Sequence, residues 1–200
     1  MKTMALLMPF FFARGAERAQ DAEEDLVERL RRGDAAAVGE AYDKHYGAVR
    51  GFARRLTGDD ASAEDLAHDV FLSLPQAAQR FRGGSSLKTF LIAIAVNHAR
   101  HHLRSAARRR AAMERLALEP DEEQASSPER EAGRAALAQA LNRALDALPT
   151  AQRVAFVLCE VEERSAREAS EIMGVPEATV RTRLFHAKQK LRTLLEERAP

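Results

Sequence analysis

Two hundred residues carry 31 Lys and Arg against 30 Asp and Glu, a formal net charge of +1, with 46% apolar side chains, no Trp and a single cysteine. That length and apolar content suit one large or two small cores, while the lone Cys159 excludes an intramolecular disulfide and fits a reducing compartment. No apolar run approaches the ~20 residues that a membrane-spanning helix needs, and the abundance of Ala, Leu, Arg and Glu over β-branched runs points to an all-α fold.

Met1 to Ala13 (MKTMALLMPFFFA) looks loosely like a secretory leader, but Pro9 interrupts it, Arg14 follows, and no A-x-A cleavage pattern appears. Residues 1–20 are therefore expected to form a disordered or loosely docked leader. From Leu26 to Leu30, and again through Val38, Tyr42, Tyr46, Val49, Phe52 and Leu56, apolar residues recur at helical spacing. Gly33-Asp34 separates these two helices and Gly58-Asp59-Asp60 closes the second. A third helix is predicted from Ser62, which can cap it, to Leu74, where Pro75 enters. After the loop Phe81-Arg82-Gly83-Gly84-Ser85-Ser86, a long helix is predicted from Leu87 to Arg110.

Between Met113 and Gly133 the composition changes: seven acidic residues stand against two Arg, with Pro120 and Pro128 among them, the signature of an extended linker. Helical patterning resumes from Leu137 to Leu148, and a second helix passes through Val154, Val157 and Leu158. A short helix to Met173, a Gly174-Val175-Pro176 turn and a longer basic helix complete a helix-turn-helix pattern. The expected organisation is a leader (1–20), a helical domain (21–112), an acidic flexible linker (113–133) and a second helical domain (134–200).

The near-neutral total hides a division of charge. Thr57 to Gln79 holds five acidic residues and no Lys or Arg, whereas Arg80 to Ala112 holds eight Lys or Arg and no acidic residue. Consecutive surfaces of opposite sign suggest two partners held side by side. In the long helix, Leu91, Ile92, Ala95, Val96, Ala99 and Leu103 form an apolar arc, with Asn97, Arg100, His101, Arg104 and Arg108 opposite. Such a stripe suits phosphates plus one amide able to read a base edge, and the preceding loop offers Phe81 and glycines to an unstacked base. On the last helix Val180, Leu184, Ala187, Leu191 and Leu195 share a core face, opposite Ala178, Thr182, Phe185, His186 and Gln189 with Thr179, Arg181 and Arg192 at the flanks. A Phe exposed among short polar and basic residues fits a major groove better than open solvent.

His98 and His102, four residues apart, admit a metal reading, but a stable site needs three or four ligands and no third converges, so partly buried structural histidines are expected. No phosphate loop, nucleophile–base pair or carboxylate pair stands out, so no catalytic residue, metal or cofactor is expected. Cys159, in FVLCEV, reads as a small buried hydrophobe rather than a redox sensor. Two other functions remain compatible with these features: an autonomous helix-turn-helix regulator, and a small metal enzyme built on the histidines. The acidic helix argues against the first, which leaves it without a purpose.

Three blocks in order, DASAEDLAHDVFLSL, RFRGGSSLKTFLIAIAVN and LPTAQRVAFVLCEVEERSAREASEIMGVPEATVRTRLFHAKQKLR, resemble a bacterial extracytoplasmic-function (ECF) sigma factor of the sigma-70 family, over about Asp25 to Arg198. The resemblance implies a sigma-2-like bundle and a sigma-4-like helix-turn-helix domain, a non-enzymatic role and action in the cytoplasm without membrane insertion. It implies docking on core RNA polymerase, at the β′ clamp coiled coil and the β flap, with Asp65, His68, Asp69 and Phe71 on the clamp. It implies capture of the melted −10 element by Phe81 and Asn97, with Arg100 and Arg104 on the backbone. Pro176, Ala178, Thr179, Arg181, Thr182, Phe185 and His186 would read the −35 element, and an anti-sigma factor would restrain the protein, in some cases at the membrane. Departures from the family pattern are His68 for a frequent Gln, Phe90 for Trp, Ala93 for a frequent Arg, and Cys159 where an Arg commonly meets the −35 backbone.

Overall fold

The computed structural model describes residues 22–116 and 140–196; the leader and most of the acidic linker lie outside them. The described residues are helical, with no strand among them. Helix α1 (22–31) leads through Gly33, in the left-handed region at φ 77°, into α2 (Ala35–Thr57). The Asp34 side chain caps α2 by accepting the amide of Ala36, and Gly58, at φ 69°, ends it with its N–H on the Arg54 carbonyl.

Helix α3 (Asp60–Ala78) starts one turn earlier than Ser62 was expected to start it: the N-cap is Asp59, which accepts the Ser62 amide at 2.7 Å, and Ser62 itself is buried. It also passes Pro75 rather than stopping at Leu74. A proline there removes one ladder bond within the last turn, where few remain to be lost. Helix α4 (Leu87–Leu116) begins on Ser86, whose hydroxyl accepts the Thr89 amide, and outruns Arg110 by more than a turn into the segment read as linker.

Helices α2, α3 and α4 pack against one another around Val49, Phe52, Leu56, Leu66, Val70, Leu74, Leu91 and Ala95, all nearly inaccessible, with Leu26 and Leu30 of α1 closing one end. At ~1.5–3 kcal/mol for each fully buried large apolar side chain, this apolar seam is the principal source of the bundle's stability.

The second half comprises α5 (140–146), α6 (Thr150–Phe156) running into a π-helical turn (Val157–Val161), α7 (Ala166–Met173) and α8 (Glu177–Glu196). Ser165 and Glu168 form a reciprocal capping box at the start of α7. Gly174, at φ 61°, turns the chain, and the Pro176 carbonyl accepts the amides of Thr179 and Val180 to open α8.

The two halves touch. One apolar cluster runs from the first bundle through Val154, Leu158, Ile172 and Val180, and α4 lies against α6 and α7. Polar contacts seal the seam. Asp146 accepts from Arg110 Nε at 2.8 Å and from Arg153 Nη1 at 2.6 Å, Arg110 Nη1 donates to the Thr57 carbonyl, and Arg153 Nε reaches the Leu56 carbonyl at 2.7 Å. Arg55 pairs with Glu162 across the same boundary. Arg153 is only 2% exposed; burial pulls its pKa down while Asp146 pushes it back up.

Candidate polymerase and promoter surfaces

Helix α3 turns its apolar side to the core and leaves Glu64, Asp65 and His68 exposed, with Asp69 at the edge. The Asp65 and Asp69 side chains are 63% and 46% exposed, so both carboxylates are open to a partner. Leu72, the next turn along, is also exposed. Phe71 differs from its expected place on the contact surface. It is buried beneath Tyr42 and Tyr46, with ring centroids 5.0 and 6.4 Å away, and so supports the acidic face from inside.

The acidic and basic helices do not merely lie next to one another. Asp69 Oδ2 stands 2.8 Å from His102 Nε2, and Ser73 Oγ stands 3.2 Å from His98 Nε2. Arg109 donates to Asp59 Oδ2 and to Ser62, with Asp65 3.9 Å away. The two histidines singled out by their spacing therefore face α3 side chains, and no cluster of three or more metal-ligating side chains occurs among the described residues. Burial pushes the Asp59 carboxyl up, but hydrogen bonds from Ser62 and the Arg109 guanidinium outweigh it and hold the group below the usual carboxylate range.

On the opposite side of α4, Asn97, Arg100, His101 and Arg104 are exposed, and Asn97, Arg100 and Arg104 have no hydrogen-bond or ion-pair partner among the described residues. Phe81 is 8% exposed, its ring centroid 4.5 Å from that of Phe90, so it is a support of the loop rather than an open stacking platform. Sequence periodicity could not reveal this, because Phe81 sits in a loop whose path depends on a distant helix. Arg31 donates to the Phe81 carbonyl and Glu23 accepts the Leu87 amide, so α1 holds both ends of the loop. Together they line an open cavity of about 910 Å³, with Gly83, at φ 77°, among the lining residues. Glu23 and Arg31 were not singled out from sequence, and nothing in their local pattern marks them.

In the second half, Ala178, Arg181, Thr182, Phe185, His186, Gln189 and Arg192 are exposed along α8, Thr179 is half-buried and Pro176 stands exposed at the turn. Phe185 is 57% exposed, its ring edge-on to that of His186 with centroids 5.6 Å apart. Val180, Ala187 and Leu191 face the core, while Leu184 and Leu195 are only half-buried. Cys159 is half-buried in the π-helical turn; burial, then Glu160, pushes its thiol pKa up, which disfavours the reactive thiolate.

Comparison with known proteins identifies the family. Residues 41–109 match the family described as Sigma-70 region 2, and residues 138–191 match Sigma-70, region 4. The chain is 31% identical over 184 residues to the RNA polymerase sigma-H factor of Pseudomonas aeruginosa, covering 88% of this chain and 95% of that protein. It is 29% identical over 179 residues to the ECF RNA polymerase sigma-E factor of Escherichia coli K12, covering 86% and 93%. Its fold resembles CnrH in complex with the cytosolic domain of CnrY (TM-score 0.60, 22% identity, 89% of this chain and 99% of that one). It also resembles the sigma factor RpoE in complex with the anti-sigma factor NepR from Bartonella quintana (TM-score 0.52, 25% identity, 80% and 98%). With both sigma-70 regions in order and a relative matched along nearly its whole length, this chain belongs to the ECF branch of the sigma-70 family of RNA polymerase sigma factors.

Proposed function

We propose that the chain serves as a sigma factor through three separate surfaces. The exposed face of α3, with Asp65, His68 and Asp69 over the buried Phe71, meets the β′ clamp coiled coil of core polymerase. Asn97, Arg100 and Arg104 on α4 take the melted −10 strand: the guanidiniums bind phosphates and the amide reads a base edge. Pro176, Ala178, Thr179, Arg181, Thr182, Phe185 and His186 enter the major groove of the −35 element, while the same half contacts the β flap. The catalysis belongs to the polymerase, and the protein acts in the cytoplasm. An anti-sigma factor is a further expected partner, since the RpoE relative of matching fold was solved with one.

The observation that carries this reading is the row Asn97, Arg100 and Arg104, polar and basic, exposed and unpartnered among the described residues, on the helix next to an exposed acidic face. An isolated structural helix would have little use for three such groups in a row. Asp65→Lys tests the polymerase contact directly. Asp65 is largely exposed and its ion pair with Arg109 is long, at 3.9 Å, so the substitution is expected to spare the fold. The variant is expected to lose at least tenfold in affinity for core polymerase, from the loss of one favourable charge contact and the gain of a repulsive one, with its melting profile unchanged. Unchanged affinity would remove α3 from the contact.

A further inference from the structure

We infer that His102 is a positioning residue for the polymerase contact: it holds the Asp69 carboxylate in the orientation in which a basic partner meets it. This rests on the reading that the α3 face binds core polymerase. His102 lies on α4, the DNA-reading helix, yet its side chain points away from that surface and is only 6% exposed, too buried to touch a partner protein itself. Its Nε2 lies 2.8 Å from Asp69 Oδ2, while the Asp69 side chain remains 46% exposed and its Oδ1 has no partner among the described residues. One oxygen is thus anchored from within and the other is presented outward.

The surrounding contacts fix this geometry. On α3, Asp69 and Ser73 are four residues apart; on α4, His98 and His102 are four apart, and the pairs face each other as Ser73 with His98 and Asp69 with His102. Residues four apart share a helix face, so two such rungs hold the antiparallel helices in one register. Arg109, reaching Asp59 and Ser62, adds a third rung at the far end of α3. A carboxylate on an open helix surface samples several rotamers, which binding must freeze; one held by a buried donor is already ordered when its partner arrives. Asp65 and Asp69, four apart and both negative, also repel each other, and a donor on Asp69 offsets that repulsion in the unbound protein.

The test measures affinity of the full chain for core polymerase in His102→Leu, Asp69→Ala and the double variant. Loss of a hydrogen bond to a charged group predicts that His102→Leu weakens binding about tenfold. Asp69→Ala is expected to weaken it by a similar or larger factor, and the double variant to be no weaker than Asp69→Ala alone. His102→Gln, which can place a donor at the same reach, is expected to restore affinity to within about threefold of the unmodified chain. A purely structural histidine would give additive losses and no such rescue. If His102→Leu does not fold, His102→Asn, polar but too short to reach Asp69, takes its place with the same expectation. Additive losses, or unmodified affinity in the variant that lacks the donor, would overturn the inference while leaving the sigma reading intact. Failure of the unmodified chain to bind core polymerase would overturn both.

Discussion

At the start of α3, Asp59 accepts the Ser62 amide and faces the Arg109 guanidinium from α4, so a single carboxylate both caps one helix and ties it to another. Those contacts hold its pKa below the usual range despite partial burial. A carboxyl with a lowered folded pKa stabilises the fold fully above the unfolded value, ~3.9, and loses that contribution as pH falls through the folded value. Asp59→Ala is therefore expected to cost about 1 kcal/mol at pH 7, the usual value of an N-cap. Urea melts at pH 7 and in strong acid check this: the gap between variant and unmodified protein should narrow as the pH falls below the ordinary carboxylate range. A gap that stays constant with pH would mean that the charge of Asp59 plays no part.

At the scale of helices, much was legible because local chemistry and apolar periodicity agreed. Gly58 and Gly174 end helices in the left-handed conformation, and the turn before α8 falls where Gly174-Val175-Pro176 marked it. What escaped was decided by contacts between elements. Ser62 and Asp59 are both good caps in sequence; in the structure Asp59 accepts the Ser62 amide and Ser62 is buried. Phe71 and Phe81 lie in segments tied by resemblance to partner surfaces, but each ring has another aromatic ring to pack against and is buried. For His98 and His102 the spacing indicated a shared face but not the Ser73 and Asp69 opposite, since nothing in one helix reveals the register of the next. The exposure of Asn97, Arg100, Arg104, Thr182, Phe185 and His186 was easier to foresee, because each lies opposite an apolar arc on its own helix, with Arg181 at its flank.

For the whole molecule, the docked arrangement of the halves has a geometric consequence. Promoter elements 25 base pairs apart lie about 85 Å apart along the duplex, at 3.4 Å per base pair. The two halves are in contact along α4, α6 and α7, and the 23 residues between Leu116 and Ala140 reach at most about 80 Å when extended. If the proposed surfaces read both elements at once, the Arg110–Asp146 and Arg55–Glu162 contacts are expected to part. Arg110→Glu places a carboxylate against Asp146 within a largely buried cluster, a loss of the order of 3 kcal/mol for the closed form. Small-angle scattering of the full chain should then report a larger radius of gyration with unchanged helical circular dichroism. An unchanged radius would show that the seam does not depend on this pair.

Together, the three proposed surfaces would convert core polymerase into a promoter-selective enzyme. Transcription in vitro with purified core polymerase, the full chain and a panel of promoter fragments tests it most directly. Discrete transcripts are expected from a subset of fragments only when the chain is present, and lost when Asn97, Arg100 and Arg104 are replaced together by Ala. Transcripts that are identical with and without the chain on every fragment would contradict it.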